Sequence, residues 1–371
     1  MKYDLIVVGA GIVGLAHAYA AAKQGLKVLV LERDAACVGA SIRNFGFVTV
    51  TGQKAGASWG RARRSREVWA EVAPQAGIEV VHSGLYLAAE REEAHAVLQA
   101  FMDTEMAQGC ELLSPSDAQL RAGGVLHADA LQSVLYSPHE LRVESRTAIP
   151  RLTSWLAAAH GVEFRFGESV LSVQTPHVQS SRGSYQAERV VVCAGAELNG
   201  LFATSWTPHQ LRLCQLQMLR VRPEAGFKLP GSVMGDLSLV RYEGYSELPE
   251  AQALRARMEA EEGASLSHGI HLIVVQSADG SLVVGDSHHY GPVLPPFASE
   301  DVDALILRHL RSTLQLREAV VTERWVGTYP SSLTEPCLVE TPAPATRLVT
   351  VTSGTGASTA FGLAEEVFAA W

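Results

Sequence analysis

The first 33 residues constrain the fold more tightly than any other stretch. Asp4 precedes Leu5-Ile6-Val7-Val8, a run with the length and β-branched content of a strand buried on both faces. Gly9-Ala10-Gly11-Ile12-Val13-Gly14 follows, then a helical pattern over 15–24 closed by Gly25 in the left-handed cap position. A second buried strand, 27–31, ends at Glu32. Gly9 permits the tight turn, Gly11 lets backbone approach a pyrophosphate, and Gly14 lets helix and strand pack closely. The helix N-terminus offers N–H groups and a positive dipole end to phosphates, and Glu32 can accept from ribose hydroxyls. These parts stand in register, which marks a dinucleotide site rather than a glycine-rich turn of another α/β protein.

At 371 residues the chain has room for about two domains. With 47% hydrophobic and 19% charged residues it can bury a full core, and its net charge of −9 argues against a nucleic-acid partner. The apolar run behind Asp4 is too short for a signal peptide, and no apolar stretch approaches the ~18 residues of a spanning helix. Cys37, Cys110, Cys193, Cys214 and Cys337 are widely spaced without a C-x-x-C pair. That pattern predicts a cytoplasmic protein with no zinc site, and no spacing suggests another metal.

Along the chain, 33–46 reads as a polar, glycine-bearing loop and 58–73 as a helix. The helix carries Arg61, Arg63, Arg64 and Arg66, either a solvated face or phosphate contacts. A strand over 82–89, a helix over 90–108 and a short helix capped by Ser114 and Pro115 come next. Residues 123–143 read as irregular. A helix over 145–160 leads to strands at 162–166 and 168–173 and to the buried run 190–196. From 210 onward the alternation is that of an antiparallel sheet, with strands at 210–221, 239–242, 270–276, 281–285 and 319–327. Residues 247–262 form a charged helical insertion, a lid or surface helix, and Ser299 caps a helix running to 315. Finally, 348–352 enters Ser353-Gly354-Thr355-Gly356-Ala357-Ser358-Thr359, a second junction between a strand and a helix N-terminus.

Glu32, Gly39-Ala40-Ser41, the Val170 strand, the run ending at Gly195 and the C-terminal glycine–helix junction occur in an order that resembles the FAD-dependent oxidoreductases of the D-amino-acid oxidase superfamily, especially glycine and sarcosine oxidase-like members. The resemblance spans the whole chain. It implies a Rossmann-like α/β FAD-binding domain (1–80, 141–208 and 331–371) interrupted by a mostly antiparallel α+β substrate-binding domain (81–140 and 209–330). Carried over by position, Gly9, Gly11, Ile12, Val13 and Gly14 form the pyrophosphate turn, with Glu32 and Arg33 beside the ribose. Ala40, Ser41 and Arg43 contact the pyrophosphate side, and Asn44, Phe45 and Gly46 pass the flavin ring. Val170 pairs with adenine, Ala194 and Gly195 close a strand beside the cofactor, and Gly354, Gly356, Ala357, Ser358 and Thr359 hold the flavin's pyrimidine edge. The resemblance thus implies FAD rather than NAD, bound non-covalently because Cys337 lies past the position of the attachment cysteine.

Two departures bear on the substrate. Trp325-Val326-Gly327-Thr328-Tyr329-Pro330 places Tyr329 where many members carry a carboxylate-binding arginine, so Arg43, Arg241 or Arg324 would have to take over. None of Lys2, Lys23, Lys27, Lys54 and Lys228 matches the oxygen-activating lysine near Val284, so oxygen or another acceptor remains open. Amine oxidation leaves the hard chemistry to the flavin and needs no obligatory acid–base pair, so no catalytic residue is fixed. Asp286-Ser287-His288-His289-Tyr290 could bind an anion or adjust the amine's protonation, or be a hydrogen-bonded loop. His288, His289 and Tyr329 are the catalytic candidates. Arg43, Gln215, Tyr242, His288, Tyr290, Arg324 and Tyr329 are the substrate-binding candidates, and His271 reads as more structural. The expected activity is oxidation of a small primary or secondary amine to an imine that hydrolyses to a carbonyl. The overall look is similar to a branch associated with aminophosphonate breakdown, which makes an aminoalkylphosphonate one expected substrate. An accessory flavoprotein without turnover and an NAD-dependent dehydrogenase are the rival readings.

Overall fold

The computed structural model describes residues 2–371. Two sheets organise the chain. In the smaller one, Lys2–Val8 lies parallel between Ser184–Val192 and Val28–Glu32. Thr346–Val351 adds parallel on one side and Glu163–Phe166 on the other, with Cys337–Ala343 antiparallel at the edge. The strands alternate as their sequence demands: Leu5 and Val7 face the helices Ile12–Lys23, Ala57–Gln75, Ser145–His160 and Gly356–Ala369, while Ile6, Leu29 and Leu31 enter a second core on the opposite face. Every apolar residue in the centre is therefore useful, each buried side chain contributing about 1.5–3 kcal/mol.

The larger sheet has ten strands and is mostly antiparallel. Its spine is Arg212–Pro223, paired along its length with Ala319–Ser331 and also with Leu282–Gly285 and His289–Gly291. The sheet too is buried on both faces, Met218 and Val283 on one side and Leu219, Leu282 and Val284 on the other. Among the described residues no helix is long and apolar enough to cross a membrane.

Several expectations need correction. Residues 133–143, read as irregular, form the continuous strand Ser133–Val143 against Val80–Ala89. Its alternation is masked by buried polar residues: Glu140 accepts the N–H groups of Val50 and Thr51, and Ser137 accepts from Thr51 Oγ1. Residues 236–240 form a 3₁₀ turn, not a strand, and Gly244 beyond it packs where a Cβ would lie 2.5 Å from the Gln53 carbonyl oxygen. The helix of 90–108 ends at Met102. The insertion at 247–262 is no lid. Its helix Ala251–Glu261 buries Ala251, Leu254 and Met258 in the core and is tied down by Arg91 through Glu261. Ser299 caps nothing with its side chain; its N–H donates to Gln217. The arginine cluster serves helix packing, Arg61 pairing with Glu366 and Arg64 with Glu365.

Candidate active site and cofactor cradle

One cavity of about 870 Å³ runs between the two sheets, near the upper end of the range for small-molecule sites. Its floor is the turn between Lys2–Val8 and Ile12–Lys23. Gly9 has φ +103°, and a Cβ there would sit 2.4 Å from the Cys193 carbonyl oxygen; at Gly14 a Cβ would meet the Gly9 carbonyl oxygen at 2.0 Å. Both positions thus demand glycine, one for conformation and close approach, the other for helix–turn contact. Gly11 supplies no capping side chain, and the Ile12 N–H donates to Ser41 Oγ instead (2.9 Å). Glu32 accepts from the N–H groups of Ala10 (2.8 Å) and Asp34 (3.0 Å), which fixes the carboxylate while leaving acceptor capacity on both oxygens.

Across the cavity, Gly356–Ala369 begins behind Thr355, whose side chain makes no capping bond. Gly354 (φ +77°) lies under the Tyr329 ring. Ser358 Oγ accepts the Thr49 N–H (2.9 Å), stitching this loop to the turn beyond Phe47–Val48. Two helix N-termini without a capping side chain of their own therefore open on one space, an arrangement suited to phosphates and to an anion.

Of the residues singled out as cofactor-binding, Gly9, Gly11, Ile12, Val13, Gly14, Glu32 and Arg33 line the cavity, as do Ala40, Ser41, Arg43, Asn44 and Phe45. So do Val170, Ala194, Gly195, Gly354, Gly356, Ala357 and Ser358. Gly46 and Thr359 do not. At Gly46 a Cβ would lie 1.8 Å from the Val143 carbonyl oxygen, so that glycine serves the chain crossing. Thr359 Oγ1 donates to the Thr355 carbonyl inside its helix. Asn44 spends its side chain on the loop, donating to the Ala40 carbonyl and accepting from Gly46 N–H. The cradle nonetheless fits a dinucleotide: backbone comes close where side chains would block it, and two helix starts line the same space.

The other end of the cavity is lined by side chains from separated strands. Arg43, Tyr242, His288, Tyr290 and Tyr329 reach it, joined by Arg241, His271 and Asp286. Gln215, His289 and Arg324 do not. Gln215 donates to the Pro295 carbonyl, His289 pairs with His268 at 3.0 Å, and Arg324 faces outward to Asp303 at 2.7 Å. Arg43 and Arg241 are the arginines that remain, and of these Arg241 stands beside Tyr290, Tyr329 and Asp286. Among the described residues it forms no ion pair, and its guanidinium donates one side-chain hydrogen bond, to Tyr290 Oη at 3.1 Å. Burial works against its charge, but Tyr329, Tyr290 and Asp286 outweigh that and hold it protonated.

Beside it, His271 and His288 stack with centroids 5.3 Å apart, both facing Asp286. His271 Nε2 lies 3.1 Å from Asp286 Oδ1 and His288 Nε2 3.7 Å from Oδ2. Burial pushes the carboxyl up, yet His288, His271 and Arg241 bring it below the usual range. Burial holds both imidazoles down, His288 furthest because Arg241 adds to it. No sequence spacing announced this cluster. His271 stands outside the Asp286–Tyr290 run, and the two are joined because the backbones of His271 and Asp286 exchange hydrogen bonds. Ligand atoms of the three residues all lie within 4.8 Å of one another, a separation that a metal ion could bridge and that the spacing alone did not foretell. Burial raises the Tyr329 phenol well above its ordinary value, so it stays neutral.

A model of the family described as FAD dependent oxidoreductase, DAO, matches residues 4–370. Among solved structures, the chain is similar to a glycine oxidase from Bacillus cereus, with 16% identity, a TM-score of 0.77, and 100% of this chain and 96% of that one covered. It is also similar to an L-proline dehydrogenase from P. horikoshii (16%, TM-score 0.76, 99% and 92%). A third is an FAD-bound L-α-glycerophosphate oxidase from Mycoplasma pneumoniae (14%, TM-score 0.71, 100% and 95%). A comparison with curated proteins finds no match. The match over nearly the whole chain and the glycine-built cradle agree: this protein belongs to the DAO family of FAD-dependent oxidoreductases.

Proposed function

We propose that the protein oxidises a small primary or secondary amine that carries an anionic group, giving an imine that hydrolyses to a carbonyl product. One observation carries the reading: the Arg241 guanidinium, without a carboxylate partner, faces the same cavity as the glycine turns. A desolvated cation of this kind is stabilised by a ligand anion, and a guanidinium takes carboxylate or phosphonate oxygens in pairs. Neighbours named for glycine, L-proline and L-amino acids support the amine, and one named for a glycerophosphate supports a phosphorus oxyanion as the charged end.

When bound, the flavin supplies the acceptor for the hydride leaving the substrate carbon. The chain's residues do the rest. The turn at 9–14, the loop at 40–45 and the helix start at 354–358 hold the dinucleotide, with Val170, Ala194 and Gly195 alongside. The attachment is non-covalent: Cys337 Sγ is engaged by Arg61 at 3.1 Å and does not line the cavity. Arg241, assisted by Tyr290, seats the anion, and Tyr329 and Tyr242 wall off water. Lys54 lines the cavity near Tyr242 and Glu243, but its ammonium is spent on Glu247, which favours an acceptor other than oxygen.

The experiment is anaerobic mixing of purified yellow protein with glycine, sarcosine, D-alanine, L-proline, 2-aminoethylphosphonate and its N-methyl derivative. Bleaching by amines that carry an anion, and none by the same amines without it, is the expected outcome. Flavin that no amine bleaches would leave the accessory-flavoprotein reading standing. Phosphonates that bleach no faster than glycine would remove the aminophosphonate substrate.

A further inference from the structure

We propose that His288 Nε2, backed by the Asp286 carboxylate, docks the substrate's ammonium group and takes its proton while Arg241 holds the anionic end. The proposal rests on the amine-oxidation reading above and assigns the residues that prepare the amine.

His288 Nδ1 lies 2.9 Å from the Gly269 carbonyl oxygen. A carbonyl only accepts, so Nδ1 carries the hydrogen and a neutral ring keeps its lone pair on Nε2. That lone pair faces Asp286 Oδ2 at 3.7 Å, acceptor against acceptor. Asp286 Oδ1 also lacks an aligned donor, although His271 Nε2 stands 3.1 Å away. Both residues are buried, His288 7% and Asp286 4% exposed. Leaving such acceptors without a donor costs about 1–3 kcal/mol each, so the pair is suited to a donor arriving from the cavity. An ammonium supplies N–H groups to both at once.

A divalent cation suits this corner less well. The Arg241 guanidinium shares the wall and already disfavours charge on His271 and His288. It would oppose a second fixed positive charge in the same way. A zwitterionic substrate brings its own anion for Arg241. With that anion seated, the guanidinium no longer disfavours an imidazolium, so His288 accepts a proton only when both ends of the substrate are in place. The groups that set this balance are Asp286, His271, Arg241, Tyr242, Tyr290 and Tyr329. In the transfer an ammonium N–H bond breaks and an Nε2–H bond forms, with no change in oxidation state. The nitrogen keeps the electron pair that hydride loss from the neighbouring carbon requires.

The test uses flavin-loaded wild type, His288→Ala and Asp286→Asn, with whichever amine bleaches the wild type. At neutral pH, His288→Ala should reduce about 10²- to 10⁴-fold more slowly and recover as pH approaches the amine's own pKa, where free amine needs no acceptor. An unchanged pH profile overturns the proposal. A second measurement needs only wild type: an amine with no hydrogen on the carbon next to nitrogen is titrated against its alcohol isostere. By the shift of the flavin spectrum the amine should bind about tenfold tighter or more, and equal affinity overturns the docking site. Stoichiometric transition metal in the wild type, lost from His288→Ala, would overturn it too. If no amine bleaches the wild type, the oxidation reading fails, and the isostere titration still decides whether this corner binds ammonium.

Discussion

At one end of the cavity recognition rests on backbone: Gly9, Gly11 and Gly14 clear the floor, and two helix starts face inward. At the other end it rests on charged and aromatic side chains, Arg241, His271, Asp286 and His288, brought from three separate segments. A backbone-built site needs a fixed local spacing, since a turn and a helix start are consecutive in the chain. A side-chain-built site needs only that its bearers meet in space. The first kind tolerates no added atom at Gly9 or Gly14. The second tolerates substitution structurally and pays in specificity.

The largest effect expected from this contrast is at Gly14. A Gly14→Val side chain meets the Gly9 carbonyl, so the variant should lose about 4 kcal/mol or more and purify without flavin, read by absorbance and thermal melting. Retained flavin would mean that the turn can open. Next, Arg241→Met should keep its flavin spectrum and stability while kcat/KM for an anionic amine falls about 30- to 150-fold, a loss of about 2–3 kcal/mol. A matching loss for amines without an anion would break the assignment of the anchor. Third, His17, fully buried on the first helix behind the cradle, has its pKa lowered to about 4 by burial. Its folded value lies below its unfolded one, so the unfolded chain binds the proton first and stability falls as pH drops below about 6.5. At pH 5 the loss should be about 2 kcal/mol, and His17→Leu should flatten that part of the stability profile in denaturant melts. The smallest effect on activity is at Arg324, expected from position to bind substrate but lying outside the cavity against the buried Asp303 carboxylate. Arg324→Ala should change kcat/KM less than about twofold, while stability falls by about 1–3 kcal/mol because Asp303 is left with Gln217 as its side-chain donor.

The same contrast governs what could be read from the amino acids alone. The dinucleotide turn was legible because its glycines, its strands and Glu32 fall within one short segment. The C-terminal junction at 354–358 was legible for the same reason. The anchor was not. Arg43, Arg241 and Arg324 were equivalent as residues, and only their surroundings separate them: Arg324 has Asp303 and lies outside the cavity, Arg43 lines it from the loop at 40–45 that also lines the cofactor end, and Arg241 has a phenol. His271 was passed over because nothing near it in the chain is acidic; its carboxylate partner arrives on the neighbouring strand. The strand 133–143 was hidden because Ser137, Glu140 and Arg142 point inward and break the apolar alternation, Ser137 and Glu140 accepting from the turn at 50–51 and Arg142 donating to Glu144 and Ser277.

Thr346–Val351 completes the smaller sheet beside Ser184–Val192, and the helix after it packs on the first helix and closes the cradle. During synthesis the floor at 9–14 is made well before the wall at 354–358. Flavin can therefore be gripped from both sides only after that late helix start has docked, and a chain folded without flavin keeps an open seam there rather than an unmade floor.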